Sequence, residues 1–373
     1  MPDARRYRPL ARRFFRIRLS FWCLCPRRRE KNLTIVKVSV VTESIPRTGS
    51  GSLCHLFSLI APACTIAGFL VDEPLLGAVL VLMIYPLLDI ALGVTPRDEP
   101  LGRLSYPQRL LYLHVAVHTA VIFSLCWYAT GQGISWSTAA AVLSTGVSSG
   151  ISGIIVAHEL GHSRAHWLDP WLARWNLLLT LYSHFTLEHN RHHHPTVATE
   201  DDPASAPRHR NLWQQLRFTI PNQFKSAWRL GNQRASRRGL NTIVWGLFAQ
   251  LILIVAVGWI FSASAAVALV AQALISIFLL EYVNYIRHYG LRRQHSERVN
   301  EKHAWQSESR WSRWTLLELT RHPAHHINAG LPFWALRPYA HAPTLPGGYY
   351  AMFWPSLFPF WWRRLMDPLL DRL

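Results

Sequence analysis

The chain has 373 residues, half of them hydrophobic, and a formal net charge of +18 at pH 7. The apolar residues are grouped into long runs, which indicates a membrane protein and argues against a soluble enzyme. Much of the positive charge lies in the first 50 residues and in short loops, and no recognition motif accompanies it, so nucleic acid is not expected as a partner.

Residues 1–50 form a basic tail in which arginine clusters alternate with apolar residues. They lack the uninterrupted apolar core and cleavage site of a signal peptide. An interfacial helix, a poorly ordered tail and residues added by an upstream start codon are all compatible with this composition. We therefore assign no function to this tail, and we expect residues 51–373 to form one membrane domain.

Six apolar runs each approach the ~20 residues that a helix needs to cross a bilayer. They predict an all-α integral membrane protein with six transmembrane helices, at about residues 53–71, 75–94, 110–130, 139–157, 243–261 and 265–286. A shorter run at 171–187 contains Arg174 and favours an interfacial or site-covering helix. The segments 158–240 and 287–373 remain to form a helical cap that carries the histidine clusters described below.

Lys and Arg are distributed unevenly between the two sides of the predicted bundle. The loops near residues 72–73, 131–137 and 262–264 contain neither, whereas the tail, the loop with Arg97, Arg103 and Arg109, and both cap segments are basic. Because short basic loops stay on the cytoplasmic side, both termini and the cap are expected in the cytoplasm. Within the cap, the basic and aromatic stretch 208–240 is compatible with a membrane-surface helix and with a docking patch for an acidic electron-transfer protein.

Nine histidines fall into four short clusters, two of which lie at the ends of predicted spans, and they are His158, His162, His189, His193, His194, His288, His322, His325 and His326. Imidazole is a common ligand for iron, zinc and copper, and residues three or four apart share one face of a helix. Nine ligands exceed the four that close a zinc site, so two metal ions are predicted. The residues alone do not select iron over zinc or copper.

The first cluster also matches the HExxH pattern of zinc peptidases, with Glu159 as the base. Its position at the tail of a membrane helix, and the seven further histidines, argue against that interpretation. We expect Glu159 to support a ligand or to lie at the surface. Close to the second cluster, Glu188, Asp201 and Asp202 are candidates for supporting ligands, and His192 is a candidate spare ligand.

Four further polar residues lie inside the predicted spans. Glu281 precedes His288 by two helical turns and is expected to support a ligand or to relay protons. Asp89 is expected to make a structural hydrogen bond near the cytoplasmic end of its helix. His114 and His118 form another HxxxH pair, for which packing hydrogen bonds or site lining are favoured over ligation.

The histidine clusters and the residues beside them resemble those of the integral-membrane alkane 1-monooxygenases. The resemblance lies in HELGH (158–162), EHNRHHH with the following VATEDDPAS (188–205), NYIRHYGL (284–291) and LTRHPAHH (319–326), and continues in LPGGY (345–349) and MDPL (366–369). It begins near residue 70 and excludes the basic tail. The chain departs from the family at His192, where Gly is usual, and at Pro323 and Ala324, where Ser and Asp are common, so a hydrogen bond to a ligand is expected to be weaker.

The resemblance implies a bacterial inner-membrane enzyme with two iron ions, held by the nine histidines. Its expected activity is hydroxylation of the terminal methyl group of medium-chain alkanes, drawn from the bilayer, with dioxygen and electrons from rubredoxin or a similar acidic electron-transfer protein. An aryl-methyl monooxygenase of the xylene type and a desaturase or hydroxylase of lipid acyl chains remain alternatives. A metal transporter is disfavoured, because transporters place their ligands near the bilayer midplane.

Overall fold

The computed structural model describes residues 53–94 and 107–373, without the side chains of 236–238. The basic tail with Cys23 and Cys25, and the loop arginines Arg97 and Arg103, lie outside the described residues. Within the described ranges the regular structure is helical, and only two isolated β-bridges occur. Of the described cysteines, Cys64 and Cys126 are free thiols.

The longer helices, numbered in chain order, are α1 (Leu53–Leu70), α2 (Leu76–Ala91), α3 (Pro107–Gln132), α4 (Trp136–His162), α5 (Asp169–Leu179), α6 (185–196), α7 (Leu212–Arg238), α8 (Thr242–Ile260) and α9 (Ala263–His288). The segment after α9 contains shorter helices, which are α10 (Arg310–Thr315), α11 (His322–Ile327), α12 (Phe353–Leu357) and α13 (Pro359–Leu370).

Five of these helices, α1, α3, α4, α8 and α9, are long and apolar enough to cross a membrane. The second predicted span corresponds to α2, which is apolar but shorter than the other five and is interrupted by a π-helical turn at Leu80–Ile84. The run at 171–187 forms the helix α5, which ends at Leu179 after 11 residues and is too short to cross a bilayer. The protein is therefore a multi-pass membrane protein with five helices of spanning length among the described residues.

Helix α9 packs against α3, α4 and α8. Its contact with α4 depends on Gly146, where an added Cβ would lie 2.5 Å from the Cβ of Ile275. Small residues allow membrane helices to approach closely in this way. The close packing of α4 and α9 sets the spacing of the ligand histidines at their ends.

Two further π-helical turns occur in helices that carry clustered histidines. One covers Ser149–Ile154 within α4, and the other covers His189–His193 within α6. A π turn inserts one residue into an α-helix, so side chains beyond it are rotated by about 100° relative to an unbroken helix. The directions of these histidines therefore differ from those of regular helix spacing.

Asp89 attaches the C-terminal segment to α2, in the structural role that the sequence predicted. Its buried carboxylate accepts hydrogen bonds from the Ser312 hydroxyl (2.8 Å) and from the backbone N–H groups of Tyr350 (3.1 Å) and Ala351 (3.2 Å). Gly348 permits this approach, since an added Cβ would lie 2.0 Å from Asp89 Oδ2. The bonds hold Tyr350 against the interior of the bundle.

Candidate metal centre

The structure brings all nine clustered histidines together in two groups. The five-histidine group consists of His158, His162, His189, His194 and His325. The four-histidine group consists of His193, His288, His322 and His326. Within each group, one ring nitrogen per residue lies within 4.8 Å of every other.

The ligands come from four helix segments that are distant in the chain. The end of α4 supplies two rings to the five-histidine group, and the end of α9 supplies His288 to the four-histidine group. Helices α6 and α11 each contribute to both groups. In α6, for example, His193 joins one group while its neighbour His194 joins the other, because consecutive side chains on a helix diverge by about 100°.

Close approaches between Nε2 atoms define both groups. In the five-histidine group His325 Nε2 lies 3.0 Å from His158 Nε2 and 3.0 Å from His194 Nε2. In the four-histidine group His322 Nε2 lies 3.1 Å from His288 Nε2 and 2.8 Å from His326 Nε2. The Nε2 atoms thus point towards a common centre within each group.

The outer nitrogens of two rings in the four-histidine group are held by the protein. Asp202 lies 3.0 Å from His193 Nδ1, and the carbonyl of His303 lies 3.3 Å from His288 Nδ1. Burial alone would raise the pKa of Asp202, but His193 outweighs it and lowers the pKa to about 2. The resulting carboxylate fixes the ring of His193 with Nε2 facing its group, as in carboxylate–histidine–metal sites.

The donor set fits a pair of transition-metal ions. Burial and the neighbouring imidazoles lower the pKa of His194 to about 2 and hold that of His325 well below its usual value, so both rings are neutral, as ligation requires. The buried Nε2 atoms of His162 and His193 have no hydrogen-bond partner among the described residues. The nine nitrogens together exceed the four of one tetrahedral site and suit two metal ions.

Glu281 and Glu188 are buried beside the second cluster. Glu281 accepts hydrogen bonds from Gln223 (2.8 Å) and Thr219 (3.1 Å) on α7, and Glu188 accepts one from Ser226 (3.0 Å) on the same helix. The two carboxylates therefore attach α7 to the helices that carry His288 and His189.

Asp201, His192 and Glu159 lie outside both groups. The Asp201 carboxylate is exposed, 3.7 Å from His295, and its backbone carbonyl lies 3.0 Å from His192 Nε2. Glu159 instead accepts a hydrogen bond from the backbone N–H of Phe333 (2.8 Å). Asp201 and His192 therefore lie at the surface, Glu159 holds the loop that contains Phe333, and none of the three belongs to a metal group.

Arg287 is a buried residue of this centre that the sequence reasoning missed. Its Nη2 donates to Asn284 Oδ1 (2.7 Å), and its Nη1 lies 3.1 Å from His322 Nδ1. The signal was present, because a charged residue inside a membrane run is a functional candidate. Arg287 directly precedes His288, the histidine of the same motif.

An apolar cavity that is partly open to the outside adjoins the centre. It is formed between α2, α4 and α9 and the C-terminal segment, with Val81, Ile151, Leu279 and Tyr350 in its wall. His158 is also part of the lining. The cavity therefore connects an apolar compartment of the bundle with the five-histidine group.

A separate polar groove reaches both groups from the surface. Three ligand histidines, His162, His194 and His326, contribute to its lining. Arg164 and Arg191 line the same groove and are exposed. The metal centre is thus approached by an apolar cavity and by a basic groove that differ in chemistry.

Comparison with known proteins agrees with this geometry. Residues 134–356 match the family model described as fatty acid desaturase. Alkane 1-monooxygenase 1 of Alcanivorax borkumensis is 33% identical over 341 residues, which cover 84% of this chain and 83% of that protein. The chain belongs to the alkane 1-monooxygenase family. The resemblance predicted from the histidine motifs is confirmed, and the protein is an oxidoreductase of the monooxygenase type.

Two other relatives show how far the likeness to this family extends. Alkane 1-monooxygenase 1 of Pseudomonas aeruginosa is 36% identical over 203 residues, covering 52% of this chain and 53% of that protein. The xylene/toluene monooxygenase hydroxylase component XylM of Pseudomonas putida is 27% identical over 152 residues, covering 41% and 39%. Similarity to the alkane 1-monooxygenases is therefore higher than to this xylene/toluene monooxygenase component.

Proposed function

We propose that this member of the alkane 1-monooxygenase family hydroxylates the terminal methyl group of medium-chain alkanes. The single observation that carries the proposal is the juxtaposition of two histidine groups with an apolar cavity that has His158 in its wall. A substrate without polar groups can be recognised only by shape and by apolar contact. The cavity supplies both.

The metals of this proposal are two iron ions, one in each histidine group. Iron held there would supply the redox chemistry that activates dioxygen. The chain's own contribution is to fix the imidazoles, through Asp202 and the carbonyl of His303, and to exclude water. Burial of His288 and His322, both fully inaccessible, provides that exclusion on the side of the four-histidine group.

The apolar cavity orients the substrate. Its walls are formed by membrane helices, so a hydrocarbon dissolved in the bilayer reaches it without crossing water. Val81, Ile151 and Leu279 offer only methyl and methylene contacts, and Phe353 and Tyr350 close the side formed by the C-terminal segment. An extended alkane held there places one end at His158, which favours reaction at a terminal carbon.

The membrane topology follows from charge. We infer that α2 completes a set of six spans and that both termini lie in the cytoplasm of a bacterial inner membrane. The connections after α1, α3 and α8 lack Lys and Arg, whereas the segments after α4 and α9 are basic. This arrangement puts the polar groove and the histidines on the cytoplasmic side.

The electron donor proposed for this side is rubredoxin or a similar acidic protein. The groove bordered by Arg164 and Arg191 presents a positive surface within reach of His162 and His194. Complementary charge steers association of an acidic carrier and raises its on-rate. Both rings line the groove and belong to the five-histidine group, so an electron donor bound in the groove would contact the metal centre through them.

Metal analysis and product analysis test the function together. We expect about two irons per chain and dioxygen-dependent formation of 1-octanol from octane with reduced rubredoxin. Protein that contains only zinc and gives no turnover would contradict the proposal. Parallel incubations with p-xylene and with membrane lipids distinguish the alternatives, since the xylene-type relative makes an aryl-methyl substrate worth measuring.

A further inference from the structure

A chain of hydrogen bonds inside the membrane region begins and ends at the π-helical turn of α4. His118 on α3 lies 3.1 Å from the Ser149 hydroxyl through Nε2 and 3.2 Å from Asn176 Oδ1 through Nδ1. Asn176 on α5 in turn donates through Nδ2 to the carbonyl of Gly153 (3.1 Å). All four residues are buried.

The chemistry of these groups fixes the direction of every bond. The Gly153 carbonyl can only accept, so Asn176 presents its amide nitrogen there and its oxygen to His118. His118 then donates from Nδ1 and accepts at Nε2 from the Ser149 hydroxyl. One neutral tautomer satisfies the whole chain, which begins and ends within the π turn Ser149–Ile154.

The contact requires the local sequence of α4. At Gly153 an added Cβ would lie 2.5 Å from His118 Cε1, so glycine is needed for the ring to lie over the turn. A second histidine, His114, lies 2.6 Å from the Ser152 hydroxyl and 2.7 Å from Ser58. The His114–His118 pair on α3 therefore contacts the π turn from one side, and Asn176 on α5 contacts the same turn.

The π turn controls where the first two ligands point. It ends four residues before His158, and reversion to regular α-helix would rotate His158 and His162 by about 100° relative to the half of α4 that packs on α9. A π turn leaves a carbonyl without its usual partner within the helix. Asn176 satisfies the carbonyl of Gly153 at this position.

We propose that His118 and Asn176 are positioning residues that hold the π turn of α4 and thereby direct His158 and His162 into the five-histidine group. They act through α4 and contact no ligand ring in the bonds described. The inference rests on the proposed function, because it assumes that both histidine groups hold metal. It goes further by assigning a role to two buried residues that lie outside both groups.

Site-resolved metal binding tests this proposal. The purified protein and its variants, in detergent, are stripped of metal and titrated anaerobically with ⁵⁷Fe(II), and the bound iron is counted and resolved by Mössbauer spectroscopy. The variants are Asn176→Leu, which removes the bond to Gly153 at similar volume, and Ser149→Ala, which removes the far end of the chain with little risk to folding. The matched control is Thr180→Val. Thr180 is buried at the C-terminal end of α5, the helix of Asn176, and its hydroxyl donates to carbonyls of α5.

We expect wild type and Thr180→Val to bind about two irons, and Asn176→Leu to bind about one, with one spectral component lost and the other unchanged. Ser149→Ala should shift the same component and weaken that site about tenfold. Unchanged spectra in both variants, or equal loss of both components, would overturn the positioning role. A wild type that binds no iron would instead refute the proposed function.

Discussion

The two histidine groups are built from overlapping segments yet differ in their surroundings. All members of the four-histidine group are buried, and two of its rings are fixed by Asp202 and the carbonyl of His303. The five-histidine group includes the partly exposed His162 and His194, which line the basic groove. The comparison shows that the chain forms a more enclosed site, in which His326 is the one ring that lines the groove, and a more accessible site, and that solvent access distinguishes them more than ligand type.

Removal of a ligand should have the largest effect. We expect His288→Ala to abolish metal binding in the four-histidine group and to lower turnover more than ~100-fold, because ligand loss exceeds the 10–100-fold cost of losing an outer hydrogen bond. His162→Ala should cost less, since four imidazoles remain in its group. Metal per chain and octanol formation measure both effects.

His192→Ala serves as the control for these two variants. It lies in α6, the helix that carries three of the nine grouped histidines, but outside both groups, with its Nε2 against the carbonyl of Asp201. Its metal content should equal that of the wild type. A loss as large as that of His288→Ala would show that the division into two groups is wrong.

Three- and four-residue intervals place seven of the nine histidines on shared helix faces, but His194 and His288 lack such a partner, and His114 and His118 show the same spacing outside both groups. This spacing could not divide the nine into two groups. That division places His193 and His194 on different sides and depends on the π turn of α6 and on the approach of α11 from more than a hundred residues away. The helix predicted at 75–94 is shorter, because α2 ends at Ala91 and is followed by Gly93 with a left-handed φ of 63°.

A substitution at Glu318 should reduce metal binding in both histidine groups equally. Its buried carboxylate lies 2.7 Å from Arg313 and 3.5 Å from Arg321, and it accepts from His55 at 2.9 Å. This network supports the segment that leads into α11, which supplies both groups. Glu318→Gln removes the charge of one of the two buried carboxylates that pair with Arg313 and Arg321, the other being Glu308. It should destabilise the fold by ~3 kcal/mol, with both metals lost together.

The same network predicts how stability depends on pH. Burial alone would raise the pKa of Glu318, but His55, Arg313 and Arg321 outweigh it and lower the pKa to about 2 from its usual 4.5. A lowered folded-state pKa means that the stabilisation is complete above pH 4.5 and is lost as the pH falls towards 2. Thermal unfolding of wild type should show this loss, about 3 kcal/mol for such a shift. The Gln variant should lack it, and parallel pH profiles would contradict the assignment.

A smaller, selective effect is expected at Asp202. Asp202→Asn removes the carboxylate from His193 Nδ1 and should weaken metal binding in the four-histidine group by ~10–100-fold, with the five-histidine group unchanged. Titration with a competing chelator should then resolve two affinities. Asp201→Asn is the matched control, because its exposed carboxylate lies against His295, and equal weakening in both variants would rule out the proposed support of His193.

The smallest effect concerns the basic groove, and it decides which surface receives the electron donor. Arg164→Glu should raise the KM for a reduced acidic carrier several-fold, about 1 kcal/mol or less for an exposed charge, and the effect should shrink as ionic strength rises. Arg229→Glu on α7 makes the same charge change in the other basic region, beside Lys225 and Trp228. If the donor docks where His162 and His194 approach the surface, only the Arg164 variant should respond, and turnover with a small reductant should remain unchanged. A response confined to Arg229→Glu would move the docking surface to α7, and electrons would then enter from the side of the enclosed site.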